Sequence, residues 1–277
     1  YFKEKHITAA YFPTKFAELF FESQENDELK FIMYGGEKAT AWKKTPYKLI
    51  NCYGPTEFTV NAATYEITQA AANIPIVRPV ANSRGYITDQ YGGLQPCGLP
   101  GELCMAGAQI ARGYLNRPEL TEKVFVEDPW NGGKMYRTGD LCRYLPNGDI
   151  EYLGRIDKQV KIRGFRIELG EIEDAIVKSG AAASCAVVSL KDPSGADCLA
   201  AYVVSERPID FALIESKLRK TLPDYMIPSY WRQTPCLPLN ASGKLDVKAL
   251  PEPWGPAGAP GSERQLPRTE KEAVIAE

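Results

Sequence analysis

Two apolar, strand-forming runs that each stop at glycine constrain this chain most. "LKFIMYGGEK" (29–38) and "KLINCYG" (48–54) both read as buried strands. Glycine at the end of such a strand lets a ligand approach the backbone closely. Open α/β sheets place their ligands at these C-terminal strand ends. Before the first run, "TKFAELFFE" (14–22) spaces its apolar residues as a helix does. From 74 to 155 the pattern changes to short strands punctuated by Gly, Pro and Asn, as in "GLPGELCMAG" and "YLPNGDIEYLGR", with "PNGD" as a hairpin turn. This stretch reads as a barrel-like or distorted β-subdomain.

A second unit follows, of about a hundred residues and α+β character. It is expected to run strand 158–167, helix 170–179, strand 184–190, a "DPSGAD" turn, strand 198–205 and helix 209–221. "PEPWGPAGAPGSERQLPR" (251–268) is a Pro/Gly-rich linker with little capacity to bury a core. "TEKEAVIAE" after it resembles the first turns of another helix. At 277 residues the chain exceeds one typical domain, which agrees with two. It starts without Met, in mid-pattern, and is expected to be a piece of something longer.

Composition removes several function classes. A net charge of −2 argues against a nucleic-acid partner, which usually meets a basic face. No apolar run approaches the roughly 20 residues that span a bilayer, so no membrane partner is expected. The start, "YFKEKHITAAYFPTKF", lacks the shape of a signal peptide. Seven scattered cysteines without a CxxC pair read as reduced thiols of a cytoplasmic protein rather than a zinc site or disulfide framework. His6 is the single histidine, and a Ser-His-Asp or Cys-His enzyme would rest on it alone.

The turn in "KLINCYGPTEFTV" (48–60) delivers an aromatic ring, a hydroxyl and a carboxylate within five residues. One reading is a nucleotide site: ring for a base, hydroxyl for a phosphate oxygen, carboxylate for a magnesium ion. The other is a structural turn around a buried Tyr. In "MYRTGDLCRY", Asp140 ends a Gly turn after Arg137 and Thr138. It can accept two hydrogen bonds from a ribose diol, or it is a solvated hairpin aspartate. Arg155 and Asp157 mark either a hinge or a wet linker. "VKIRGFRIE" (160–168) is an anion-facing loop or a charge-protected edge strand. Lys244, after a Ser-Gly turn, is a point charge able to reach a phosphate, or one more solubilising lysine.

Four stretches together resemble a known family: "NCYGPTE" (51–57), "GELCMAGAQIARGYLNRPELTEKVF" (101–125), "YRTGDLCRYLPNGDIEYLGRIDKQVKIRGFRIELGEIE" (136–173) and "LPLNASGKLDVKAL" (237–250). In order and spacing they resemble the C-terminal half of an adenylation domain of nonribosomal peptide synthetases, in the adenylate-forming superfamily. The implied fold is α/β plus α+β. Residues 1–156 would be the C-terminal part of the large core domain, with parallel-sheet strands and a distorted β-barrel subdomain. Residues 157–252 would be the small mobile domain, and 253–277 a linker and the start of a carrier-protein domain.

The implied activity is ATP-dependent activation of an amino acid as aminoacyl-AMP, then transfer to the phosphopantetheine thiol of a carrier domain, with Mg²⁺. By this resemblance Asn51, Tyr53 and Gly54 serve ATP, the first two at the adenine, while Thr56 meets the α-phosphate and Glu57 the magnesium ion. Asp140 would hold the ribose with help from Arg155, and Lys244 would touch substrate carboxylate and α-phosphate. Thr56, Glu57 and Lys244 form the implied catalytic set. Asp157 falls on the hinge and Gly164 on the loop lining the pantetheine tunnel. Met33, Gly35, Cys52, Val60 and Asn61 would line the amino-acid pocket, with a position near Ala10. Their small, apolar character implies a substrate of medium bulk. The phosphate loop of the "SGTTGxPKG" kind and the aspartate for the substrate's amino group have no counterpart, so an N-terminal half upstream of Tyr1 is expected as a partner. The alternatives are an acyl-CoA ligase of the same superfamily, or a non-catalytic fragment that docks carrier or partner domains.

Overall fold

In a computed structural model the chain divides into two compact units, Tyr1–Phe165 and Arg166–Glu277. Residues 1–254 are described, apart from 25, 71–73, 77, 181, 183, 206 and 241–242. The boundary expected at 156/157 lies upstream of this division, and the carrier-like tail from 255 on lies outside the described residues.

The first unit opens with β1 (Ala9–Pro13), α1 (Thr14–Ser23), β2 (Phe31–Gly35), β3 (Lys48–Tyr53), β4 (Ala63–Ile67) and β5 (Arg78–Pro79). They build a five-stranded sheet in that strand order. β1, β2 and β3 are parallel, and β4 and β5 add antiparallel. Period-two alternation sorts the side chains. Ile32, Leu49 and Ile67 join Ala17 and Phe21 of α1 in one buried cluster. Tyr11, Met33 and Ile50, matched in register, share the opposite face, where Tyr11 is exposed.

A second, antiparallel sheet follows. It comprises β6 (Ser83–Thr88), β7 (Gly101–Gly107), β8 (Phe125–Glu127), β9 (Lys134–Tyr144) and β10 (Ile150–Arg155), with helix α2 (Pro118–Val124) between β7 and β8 in the chain. Its order is β10-β9-β7-β6, with β8 on β9. Phe58, Ile87, Leu103, Met105 and Ile150 form its buried core together with Tyr53, so the nucleotide-like turn is part of that core. The "PNGD" hairpin joins β9 to β10, closed by Leu145 N–H to the Asp149 carbonyl at 2.7 Å. Helix α2 interrupts a stretch expected to be strand only. Pro118 at its first turn starts it, where a missing N–H costs nothing.

One expected strand is two. Residues 158–167 form a hairpin of β11 (Gln159–Ile162) and β12 (Phe165–Glu168). Arg163 at φ 53° and Gly164 at φ 79° are both left-handed, which reverses the chain where a continuous strand would need φ well below zero.

The second unit carries α3 (Leu169–Lys178), β13 (Ser184–Lys191), β14 (Asp197–Val204), α4 (Phe211–Leu218) and β15 (Tyr230–Thr234). β13 and β14 are antiparallel, and β15 joins β14 in parallel, a strand the sequence left unread. α3 buries Leu169, Ile172 and Ile176 at helical spacing. Asp210 caps α4 by accepting the Leu213 N–H at 3.1 Å. Trp231, fully buried, stacks on Phe211 with ring centroids 5.7 Å apart.

Candidate active site

The site grows from the C-terminal end of β3. Gly54 follows Tyr53 because nothing larger fits: a Cβ there would lie 2.2 Å from the Val60 carbonyl oxygen. Pro55 then leads into a single 3-10 turn, Thr56–Phe58. Phe58 is fully buried and pins the turn, so Thr56 stays exposed while Glu57 is turned inward, 7% exposed. Thr59 and Val60 follow at φ 52° and 69°, an uncommon conformation for β-branched residues. The backbone N–H of Ala111 reaches the Glu57 carbonyl at 2.9 Å. Tyr114 then donates its hydroxyl to Glu57 Oε1 at 2.5 Å. Burial, then the bond to Glu57, holds that phenol far above its ordinary pKa.

Asp140 is the second centre, 3% exposed, which removes the solvated-hairpin reading. The Tyr53 hydroxyl donates to its Oδ2. Arg155 Nη1 donates to its Oδ1 at 2.8 Å. The same guanidinium forks onto Asp157, Nε to Oδ1 at 2.7 Å and Nη2 to Oδ2 at 2.5 Å. Asp157 Oδ1 also accepts the Gln159 N–H at 3.0 Å. Burial works against the charge on Arg155, but the pairs with Asp157 and Asp140 raise its pKa well above the usual arginine value. Burial first, and then the Asp140 charge, pushes the Tyr53 phenol well up, so it stays a donor.

One sequence-predicted cluster is therefore brought together in the first unit: Tyr53, Asp140, Arg155 and Asp157. Asn51, 4% exposed, stands beside it on β3 and donates Nδ2 to the Pro75 carbonyl at 3.0 Å. Lys161 of β11 holds its ammonium 5.8 Å from the Tyr53 ring centroid, a cation–π distance. Gly164 at the hairpin tip donates its N–H to Glu37 Oε1 at 2.6 Å. Lys244 lies in the second unit, in a tight turn where its N–H reaches Asn240 Oδ1 at 3.1 Å.

The expected pocket residues lie as the register dictates. Gly35 is matched with Cys52, and a Cβ on Gly35 would lie 2.2 Å from the Cys52 carbonyl oxygen. Tyr11, rather than Ala10, shares the face of Met33, Gly35 and Cys52; Ala10 packs into the α1 core. Burial raises the Cys52 thiol to about 11. Val60 is exposed, while Asn61 Oδ1 is buried without a hydrogen-bond partner. Sequence reasoning missed Tyr114, Glu102 and Glu37. Tyr114 had a signal in "RGYLN", but its partner lies 57 residues away.

Mg²⁺ usually takes one or two carboxylates, with substrate phosphates and water completing its octahedron. Among the described residues no cluster of three or more His, Cys, Asp or Glu could hold a metal alone. The single inward carboxylate of Glu57 beside the exposed Thr56 hydroxyl fits the phosphate-assisted mode.

Comparison with known proteins gives the same outline. Residues 1–115 match the family described as AMP-binding enzyme, and residues 171–244 the AMP-binding enzyme C-terminal domain. Surfactin synthase subunit 2 of Bacillus subtilis is 47% identical over the whole chain, which spans 8% of that protein. Bacitracin synthase 1 of Bacillus licheniformis is 45% identical over 91% of the chain, 5% of its own length. The chain thus spans less than a tenth of these relatives. Among solved structures, the Vibrio cholerae adenylation domain AlmE, in complex with glycyl-adenosine-5'-phosphate, aligns over 90% of the chain and 50% of its own, with TM-score 0.75 and 28% identity. A peptide synthetase protein containing adenylation and PCP domains, bound to a vinylsulfonamide inhibitor, aligns over 90% of the chain and 45% of its own, with TM-score 0.75 and 26% identity.

Proposed function

The chain belongs to the AMP-binding, adenylate-forming enzymes, and from that premise we propose that it is part of a nonribosomal peptide synthetase adenylation domain. Joined to an N-terminal half, it activates an amino acid with ATP and passes it to the phosphopantetheine thiol of a carrier domain. The observation that carries this reading is the buried junction of Tyr53, Asp140 and Arg155 beside the Glu57 turn. The cytoplasmic placement favoured by seven cysteines, none of them in a disulfide, belongs to the same proposal.

Each residue then has a task. The Tyr53 ring offers a face to the adenine, and the Asn51 amide oxygen an acceptor to its exocyclic amine. Asp140 already accepts from Tyr53 and Arg155, yet a carboxylate has about four lone-pair sites, so a ribose diol can still be accepted. Thr56 donates to the α-phosphate and Glu57 holds magnesium. Magnesium, when bound, stabilises the charge that builds on the phosphoryl oxygens. The amino-acid carboxylate attacks the α-phosphorus, the bond to pyrophosphate breaks, and Lys244 offsets charge on the transferring group. In the second half-reaction the carrier thiolate attacks the acyl carbon and AMP leaves. Asp157 is the pivot of the small domain, functionally 157–252, and the Gly164 loop lines the thiol's path. Tyr11, Met33, Gly35, Cys52, Val60 and Asn61 wall an amino-acid side chain of medium bulk.

Amino-acid-dependent pyrophosphate exchange by the intact adenylation domain tests the first step, and loading of a holo-carrier against CoA tests the second. Exchange with one or a few amino acids and loading of the carrier is the expected result. Product on CoA alone would make the protein an acyl-CoA ligase, and no exchange with any acid would make it a docking module. The 277-residue chain by itself is expected to give only background exchange, because too few groups remain to orient ATP and substrate.

A further inference from the structure

Strand β9 does not pass straight along β7. Glu102 is matched with Leu141 and Cys104 with Arg137, so Thr138, Gly139 and Asp140 stand opposite Leu103 alone. A bulge of this kind bends a strand and re-aims a side chain. The side chain it re-aims here is that of Asp140.

The bulge is held from both strands. Thr138 Oγ1 donates to the Leu103 carbonyl at 2.7 Å and accepts the Asp140 N–H at 3.0 Å. Gly139 sits at φ 72°, where a Cβ would meet Arg155 Nη2 at 2.6 Å and Asp157 Oδ2 at 2.7 Å. Glu102 grips the residues on either side of Thr138. Its Oε1 accepts the Gly139 N–H at 3.0 Å, and its Oε2 accepts Arg137 Nε at 2.9 Å and Nη2 at 2.6 Å. The Glu102 side chain is 11% exposed, so these bonds are mostly shielded from water on the carboxylate side.

We infer that Glu102 is a positioning residue: it fixes the β9 bulge that aims Asp140, and so sets how strictly the site demands both ribose hydroxyls. The inference rests on the reading of Asp140 as the ribose acceptor. Glu102 would act on the nucleotide indirectly, through Gly139 and Arg137, the neighbours of Thr138 that it holds. A carboxylate displaced by even a fraction of an ångström loses the geometry of two simultaneous bonds before it loses one. Discrimination between a ribose and a deoxyribose is therefore the sensitive readout. An ion pair that merely steadied the sheet would change stability and leave that discrimination intact.

The test compares ATP with 2′-deoxy-ATP in pyrophosphate exchange by the intact adenylation domain. Asp140→Asn serves as the reference for a lost ribose contact. Glu102→Ala is expected to raise KM for ATP by about tenfold, with a much smaller change in kcat. It should also lower the ATP/2′-deoxy-ATP ratio of kcat/KM toward that of Asp140→Asn. Glu102→Gln keeps an oxygen for Gly139 and loses the charge for Arg137, so it should fall between, and it carries the test if the alanine variant does not fold. A ratio lost in Asp140→Asn but intact in both Glu102 variants overturns the inference alone. A ratio unchanged in Asp140→Asn overturns the ribose reading and the inference with it.

Discussion

Glu57 owes its place to neighbours distant in sequence: the Ala111 N–H on its carbonyl and the Tyr114 hydroxyl on its carboxylate. Tyr114→Phe keeps the ring against Phe125 and deletes the hydroxyl that donates to Glu57. The loss of one hydrogen bond to a charged group is worth about 1.5–3 kcal/mol. If Glu57 holds magnesium, its carboxylate is then less well oriented, and the Mg²⁺ concentration for half-maximal pyrophosphate exchange should rise severalfold. A magnesium titration of the variant measures this, and an unmoved midpoint would separate Glu57 from the metal. At this scale the sequence was most legible. Tyr53, Glu57 and Asp140 stand in short motifs that single them out, and the structure buries all three. Tyr114 and Glu102 act at a distance, across 57 and 37 residues, and no local pattern marks such pairings.

Among elements, α1 is tied to the loop after β2 by one buried carboxylate. Glu18 Oε1 accepts the backbone N–H groups of Thr40 at 2.7 Å and Ala41 at 3.0 Å, and Lys15 reaches Oε2 at 3.1 Å. Burial alone would raise its pKa, but the bonds from Thr40, Lys15 and Ala41 outweigh it and the pKa is lowered. A carboxylate whose pKa is lower folded than unfolded contributes stability above its unfolded pKa, and this is lost as pH falls through the folded value. Glu18→Gln should therefore destabilise the first unit at neutral pH by about 1–3 kcal/mol. It should also flatten the acid limb of the melting temperature between neutrality and strong acid. Thermal melts of both proteins across pH check this, and parallel acid limbs would contradict it.

The elements themselves were legible where periodicity was strong, as in β2, β3 and α3. The hairpin β11–β12 read as one strand because Gly164 is the only turn-type residue in its reversal, and Arg163 before it is left-handed without any such signal. Strand β15 was missed because its identity as a strand comes from pairing with β14 rather than from its own pattern.

On the scale of the molecule, the nucleotide-like cluster belongs to one unit and Lys244 to the other. Their contributions should therefore separate by half-reaction. In the intact domain, Lys244→Ala is expected to reduce pyrophosphate exchange by a few kcal/mol of transition-state stabilisation, roughly a hundredfold or more. Carrier loading from preformed aminoacyl-adenylate should change far less. Equal loss in both assays would remove the assigned role. The parallel sheet adds one more consequence. Ala10, Ile32 and Leu49 face the α1 core, while their chain neighbours Tyr11, Met33 and Ile50 face the other way. Tyr11, Met33 and Ile50 are thus excused from filling the α1 core, while Gly35 on the same face is held by its contact with Cys52. If that face meets the substrate, such a sheet can drift in what it selects, generation by generation, while its scaffold stands still.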